Sequence, residues 1–420
     1  MPVESRGGTL GAYFDLQRGK TYKGKLKGRP GPVLLGLASI QRNGGFRRDR
    51  LTTYGGESPP NLLVYPGELF ASLKDVTQAA DLLGAVAMVP SGVEAGRLTQ
   101  DTVKLVPRIA DPPLDYLYWL LRTPQVRARC KSMATGTTNL GLARNDFLSI
   151  PVPALTPGRH KITALLGALD DKIELNRKMN RTLEEMAQAV FKSWFIDFDG
   201  HDDLVDSELG PIPRGWSCVP FARAGKWVSG GTPSKKNPAY WGGEIPWYSA
   251  KSLGSLFLDD AATRVTDVGA ANGTRLVPRG TVLFIVRGMS LAKELRIGMV
   301  TRESTLNQDL KGIVDDGTVV PELLLLWLLH HREIIRQRAD EAGHGTKRLP
   351  TAVLHSFSLA VPPRLEQERL ATKLTPFLRR IELNQAESKT LAELRDALLP
   401  RLISGELRVP VAESRGVAAR

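Results

Sequence analysis

The polar segments of this 420-residue chain are rich in cationic and amide side chains. Arg18, Lys20, Lys23, Lys25, Lys27 and Arg29 form a basic run with Tyr22 inside it. Arg42, Asn43, Arg47, Arg48 and Arg50 surround Gly44-Gly45. Farther on, Ser229 to Asn237 is a polar, glycine-containing loop with Thr232, Ser234, Lys235, Lys236 and Asn237. Tyr240-Trp241-Gly242-Gly243 and Ile245-Pro246-Trp247-Tyr248 follow it, and Lys251, Arg275, Arg287 and Lys293 complete the set. Ammonium and guanidinium groups neutralise phosphates, and an aromatic ring packs on sugar or base. Arg and Lys pair with guanine edges, Asn and Gln with adenine edges. The DNA-binding candidates are therefore Arg18, Lys20, Tyr22, Lys23, Lys25, Arg42, Asn43, Arg47, Arg48, Thr232, Ser234, Lys235, Lys236, Asn237, Tyr248, Lys251 and Arg287. The bland alternatives are a solvated loop for residues 18–29 and core positions for Trp241 and Trp247.

Composition agrees with a polyanionic partner. Lys and Arg number 57 against 44 Asp and Glu, a net charge of +13, which speaks about partners and not about fold. With 42% hydrophobic residues the chain is an ordinary globular one, long enough for two or three domains. Cys130 and Cys218 make neither a disulfide framework nor a zinc signature, and adjacent His330 and His331 lack spaced ligands. The first six residues have no apolar core of a signal peptide, and Val319 to Leu329 is too short to span a bilayer. A cytoplasmic location is expected.

Catalytic machinery is missing from the sequence. No Gly-rich loop ends in Gly-Lys-Ser or Gly-Lys-Thr, and no Gly-x-Gly-x-x-Gly follows a strand-like run. Asn237-Pro238-Ala239-Tyr240 resembles the Asn/Asp-Pro-Pro-Tyr/Phe motif of adenine methyltransferases, but the second Pro and a cofactor loop are absent. Asp170-Asp171-Lys172 reads as a solvated helix face, and Asp197 to Asp206 as an acidic linker. No catalytic residue and no metal ligand is assigned.

The chain says one thing twice. Leu98-Thr99-Gln100-Asp101 answers to Leu306-Asn307-Gln308-Asp309, Trp119-Leu120-Leu121 to Trp327-Leu328-Leu329, and Gly136-Thr137 to Gly345-Thr346. Phe147 to Pro153 is echoed by Ser356 to Pro362, and Ile173-Glu174-Leu175-Asn176 recurs as Ile381-Glu382-Leu383-Asn384. Order is preserved and the offset stays close to 208 residues, far too long for a solenoid repeat. A whole domain with its trailing segment is duplicated. Each copy opens with short β-prone runs punctuated by turns, continues with an apolar helix, and closes with a short extended stretch before a long helix.

The long helices must position the copies. Leu169, Ile173, Asn176, Asn180, Leu183, Ala187, Val190 and Trp194 fall at alternating spacings of four and three. Leu370, Leu374, Phe377, Ile381, Asn384, Ser388, Leu391, Arg395, Leu398 and Leu402 keep the same rhythm, with Pro376 and Pro400 as expected sites of kinking or fraying. The seam set is Leu169, Ile173, Asn176, Leu183, Val190, Leu374, Phe377, Ile381, Asn384, Leu391 and Leu398. The expectation is an antiparallel intramolecular pair, with Asn176 and Asn384 fixing register and a domain at each end of a rod. The other reading packs each helix on its own domain or on a partner. Outward residues Met179, Met186, Phe191 and Phe195 are the partner-docking candidates.

The chain resembles the specificity subunit of a type I restriction-modification system. The likeness rests on Gly210-Pro211-Ile212-Pro213-Arg214-Gly215-Trp216, on Gly230 to Ser234 with Tyr240 to Trp247, on Leu169 to Asn176 continued to Phe195, and on Leu398 to Leu407. It implies an α+β fold: two mixed α/β target-recognition domains separated by two long antiparallel helices in an intramolecular coiled coil, a pseudo-two-fold repeat. The domains would be 1–157, a central helix 158–200, 201–363, and a C-terminal helix and tail 364–420. The resemblance implies a non-enzymatic subunit whose recognition domains each read half of a bipartite, asymmetric double-stranded DNA target. The helices would set the spacing and dock two modification subunits. No cofactor is implied in this chain. S-adenosylmethionine would belong to the modification subunits, and ATP and Mg to a restriction subunit where one is present; no membrane is involved. The first domain lacks a counterpart of Ile212 to Trp216, which leaves open whether the start of the chain is shortened. The alternative function is a duplicated DNA-binding regulator or architectural protein without a methyltransferase.

Overall fold

The structure, a computed structural model, describes residues 7–409 except 138, 156, 157 and 344. The fold is α+β and divides into two compact units, Met1–Asp171 with Leu391–Arg420, and Lys172–Thr390.

In the first unit, an antiparallel sheet runs in the order Phe14–Arg18, Thr102–Pro107, Leu69–Ser72, Val86–Met88. Leu69, Phe70, Ala71 and Ser72 are all buried, as a strand covered on both faces must be. Strand alternation sends Leu69 and Ala71 into one core with Tyr13, Leu117 and Phe147, and Phe70 into another with Leu35, Ile40 and Val64. A second sheet pairs Val33–Leu35 in parallel with Gly96–Leu98, which pairs antiparallel with Leu63–Val64.

The second unit repeats this plan. Lys226–Ser229, Leu310–Val314, Val282–Ile285 and Ile297–Val300 lie in the same order, with Phe257–Leu258 added at the edge. The second sheet again holds one parallel pair, Trp241–Tyr248 with Ser304–Leu306, which pairs antiparallel with Leu276–Val277; Arg264–Val265 is added antiparallel to Trp241–Tyr248. The apolar helix is one piece here, Pro321–Gln337. In the first unit it is two, Leu114–Arg122 and Pro124–Ser132. The break falls at Thr123-Pro124: Thr123 is extended, as a residue before proline prefers, and its hydroxyl accepts the amide of Val126 as an N-cap.

Two helices, Arg159–Phe195 and Arg364–Ile403, each contribute residues to both units. The second runs uninterrupted through Pro376 and Pro400. Inside the second unit the helices pack antiparallel: Asn176 meets Asn384 and Ser388, while Lys373 sits 4.2 Å over the Trp194 ring. Inside the first unit Ile162 and Leu166 join Leu399, Leu402 and Trp119 in one apolar cluster. Of the seam positions, Ile173, Asn176, Leu374, Ile381 and Asn384 are buried. Leu169, Leu183, Val190, Phe377, Leu391 and Leu398 are half-buried. Leu378 and Leu399, one residue beyond Phe377 and Leu398, are the more deeply buried neighbours. A helix of 3.6 residues per turn drifts against a strict 3.5 repeat, so the buried line slips along the heptad.

The polar layer of the seam is bonded between the helices, with Asn176 Oδ1 alone left buried without a partner in it. Asn176 is fully buried and donates to Glu387 Oε2 at 2.8 Å; Asn384 donates to Asn180 Oδ1, also at 2.8 Å. Asp170 is no solvated residue: it accepts from Arg122 at 2.9 Å and from Arg395 of the other helix. Its neighbour Lys172 pairs with Glu387 at 3.2 Å, whereas Asp171 is exposed.

Asn384→Ala deletes one bond and leaves Asn180 unpaired at a partly buried site. A loss of about 1–3 kcal/mol is expected in denaturant unfolding of the full chain; a change within about 0.5 kcal/mol would show that this layer contributes nothing to stability.

Candidate nucleic-acid interface

The two polar loops of the sequence occupy equivalent places. In each unit the loop leaves the first strand of the main sheet, after Arg18 in one and after Ser229 in the other. Each begins on a glycine pressed against the same repeated turn. A Cβ on Gly19 would stand 2.0 Å from the carbonyl oxygen of Thr99, and one on Gly230 would stand 1.9 Å from that of Leu306. Only glycine allows the backbone this close, so both loops are anchored to the Leu-x-Gln-Asp turns.

In the first unit the anchor is Arg97, 4% exposed in the strand Gly96–Leu98. Its guanidinium donates to the carbonyls of Thr21 (3.1 Å), Lys20 (3.4 Å) and Glu57 (3.1 Å). It also lies 4.8 Å from the centre of the Tyr54 ring, a cation–π distance. Tyr54 receives the amide of Lys23 on its hydroxyl at 3.2 Å and meets Tyr22 edge-on at 6.0 Å. Lys27 stands 5.8 Å over Tyr22. Lys20, Tyr22, Lys23 and Lys25 are thus exposed on a loop held from beneath by one buried cation, with Arg18 exposed at the strand end that leads into it.

In the second unit two indoles hold the loop. Trp247 donates to the carbonyl of Gly231 at 3.0 Å, Trp241 to that of Ser234 at 3.1 Å, and the rings meet edge-on at 5.4 Å. Both are half-buried. Thr232 donates to Gln308 at 2.7 Å, tying the loop to the repeated turn. The Asn237 carbonyl oxygen accepts the amide of Ala239, so part of its hydrogen-bonding capacity is spent on a local cap. Ser234, Lys235 and Lys236 are exposed on this loop, and Lys251 is exposed elsewhere in the unit.

The remaining candidates disperse. Arg47 is held by Asp49 through two bonds, at 2.7 and 3.0 Å. Arg48 is half-buried. Arg42 and Asn43 face the helix Pro124–Ser132 across a cavity that also takes in Arg127 and Lys131. Arg287 is exposed on a short strand opposite Arg348. Tyr248 is not a surface residue: it is fully buried in the core of the second unit, and burial pushes its phenol up. Its place on the inward side of the long strand follows from strand alternation. Phe191 and Phe195 also depart from expectation. They are 1% and 7% exposed, stack at 4.9 Å, and pack with Trp216, because this end of the helix roofs the core. Met179 is half-buried and Met186 is 45% exposed.

Reading the sequence missed Arg97, Tyr54 and Gln308. The signal for Arg97 was a lone cation in a short buried strand, Gly96-Arg97-Leu98. His331 and Trp327 stack at 4.4 Å within the core, and burial holds the imidazole below its ordinary range. Among the described residues no group of three or more His, Cys, Asp or Glu could hold a metal ion, and no helix is long and apolar enough to cross a membrane.

Arg122, Asp170 and Arg395 fix the helices to the first unit. Arg122 is 8% exposed, donates to Tyr118 at 2.7 Å, and lies over the Trp119 ring at 4.3 Å. Burial alone would push the Asp170 carboxyl up, but Arg122 and Arg395 together hold it below its usual range. A lowered carboxylate stabilises the fold fully above the unfolded value, near about pH 4, and loses that contribution as pH falls through the folded one. Asp170→Asn should therefore cost about 2 kcal/mol at neutral pH. The difference from the parent should shrink on acidification below about pH 4. Urea melts across pH 2–7 read it; a pH-independent gap would refute the ion-pair account.

Comparison with known proteins agrees with this layout. The family described as "Type I restriction modification DNA specificity domain" matches residues 224–393. The chain is 26% identical over 304 residues to the type I restriction enzyme MjaIX specificity subunit of Methanocaldococcus jannaschii, covering 70% of this chain and 69% of that protein. It is 30% identical over 178 residues to the EcoR124I/EcoR124II specificity subunit of Escherichia coli, covering 42% and 43%. The crystal structure of a type I restriction-modification S subunit from M. genitalium shares the fold, with a TM-score of 0.53 at 14% identity over 94% of each chain. The chain is thus similar, in sequence over its second half and in fold over most of its length, to specificity subunits of type I restriction-modification systems.

Proposed function

We propose that each unit carries one target-recognition domain, and that the two read separate halves of a bipartite, asymmetric duplex DNA site. One observation carries this reading: the loop anchored by Gly19 and the loop anchored by Gly230 are structural equivalents with different polar side chains. Equivalent placement lets both approach DNA in the same way, and different chemistry lets them choose different bases. Arg18, Lys20, Tyr22, Lys23 and Lys25 serve one half-site, and Thr232, Ser234, Lys235 and Lys236 the other, with Lys251 and Arg287 in support. The recognition domains are residues 1–157 and 201–363, with the long helices between and after them. These helices set the interval between half-sites.

The helices also dock two modification subunits that bind S-adenosylmethionine and methylate adenine. Support comes from the repeated tetrapeptide: Ile173 and Ile381 are buried, as are Asn176 and Asn384, but Leu175 and Leu383 are 52% and 45% exposed. A duplicated exposed leucine fits two equivalent partners, and Met186 extends the apolar surface of the first helix. Restriction subunits using ATP and Mg join the assembly where the system has them.

Exchange of residues 1–157 for another recognition domain should change one half-site of the methylated sequence and leave the other intact. Methylation-site mapping of the complex reads this, and a change in both halves excludes independent reading. Leu175→Asp with Leu383→Asp should weaken co-purification of the modification subunits at least tenfold while DNA binding by the chain persists. Unchanged assembly would move the docking surface elsewhere.

A further inference from the structure

The first unit holds a cavity of about 400 Å³ that the reading of base edges does not use. A water molecule occupies about 30 Å³ of liquid, so the space can admit an oxyanion with its neighbours. Arg42, Arg122, Arg127, Lys131 and Arg395 line it, against a single lining carboxylate, Asp396. Three of these cations already have acidic partners: Asp170 bridges Arg122 and Arg395. Lys131 reaches Asp81 at 3.0 Å, and Asp396 pairs with Arg395 at 2.7 Å.

Arg127 and Arg42 have no such partner. Arg127 is 3% exposed, and its one side-chain hydrogen bond goes to the neutral carbonyl of Asp81, at 3.1 Å. Its Nε and Nη1 are buried without any partner. Among the described residues Arg42 makes no ion pair and no side-chain hydrogen bond. An uncompensated buried guanidinium is costly, and a second cation beside it raises that cost.

The backbone is shaped to keep them there. Asn43, Gly44 and Gly45 all have positive φ (62°, 108° and 108°), and a Cβ on Gly44 would stand 2.8 Å from Arg122. The turn therefore folds tightly against Arg122 and carries Arg42 to the rim. Pro124 also lines the space, so the start of a nine-residue helix adds its partial positive charge.

We propose that this cavity binds a phosphate group, supplied either by the DNA backbone or by a free phosphate compound. A tetrahedral oxyanion offers acceptors in several directions at once, which suits a space lined by cations from a turn and helices. For the DNA source the inference rests on the reading proposed above; for the free source it does not.

The test uses the full chain in phosphate-free buffer. Arg42→Gln with Lys131→Gln changes only exposed side chains and is the main variant. Arg127→Met is the second, and its melting curve shows whether it folds. Inorganic phosphate is titrated against chloride at constant ionic strength by calorimetry. Duplex binding is then measured over a salt series. Saturable phosphate binding that weakens at least fivefold in the main variant supports the site with a free source. Absence of such binding, together with a salt slope lowered by about one to two in the variant, supports the backbone source. No phosphate binding and an unchanged salt slope overturn the inference, even if the variant loses a modification subunit, which would assign the cavity to an acidic protein segment. A chain that binds no duplex sinks the DNA reading alone, and the phosphate titration still decides the cavity.

Discussion

Neither long helix is stable by itself, and this constraint orders everything else. A solvated helix of this length gains its stability from a buried face and not from propensity. The face is buried in both units by the other helix, with Ile173 and Ile381 in one and Leu166 and Leu399 in the other. Apolar packing sets the attraction but tolerates sliding. The Asn176–Glu387 and Asn384–Asn180 bonds, and Asp170 between Arg122 and Arg395, do not. One turn of slippage would strand buried amides and charges. Polar groups in the seam thus specify register, and the leucines around them supply the stability.

Duplication works because the frame and the exposed loops are built from different residues. The frame repeats down to strand order, parallel pairing and the glycine against the Leu-x-Gln-Asp turn. The loops have diverged, and so have the devices beneath them. One copy holds its loop with a buried arginine that collects carbonyl oxygens, and the other with two tryptophan N–H groups. Both solutions donate to loop carbonyls and leave side chains outside. Selection on the loop can then proceed without cost to the sheet below.

Much of this was legible in the sequence. A repeated order of short motifs pointed to duplication, and the main sheets of the two units share one strand order. Ile173, Asn176, Ile381 and Asn384, which helix periodicity put on the seam, are buried. What periodicity could not find was which side of the helix faces a domain. Phe191 and Phe195 looked outward on a heptad wheel, yet the core of the second unit lies there. Tyr248 failed for the same reason, since alternation within a strand tells two faces apart without saying which is wet. Arg97 and Arg127 were invisible because buried cations depend on carbonyls and cavities contributed by distant segments.

The charge excess takes on a different meaning once its partners are known. Many arginines are consumed internally: Arg108 by Asp15, Arg214 by Asp203, Arg264 by Asp260, and Arg336 by Glu333. Asp260, bound by Arg264 and Lys389, is held down to about 2, so its charge is fixed across ordinary pH. The cations that remain without acidic partners among the described residues include Lys20, Lys23, Lys25, Lys235 and Lys236, all on the anchored loops. Lysine suits that role, because a hydrated point charge meets a phosphate without demanding the planar geometry a guanidinium needs. Many arginine forks serve the structure or line the cavity, whereas these exposed lysines stand on the two loops. Internal pairing therefore leaves the excess charge on exposed groups, a share of them gathered on the two loops.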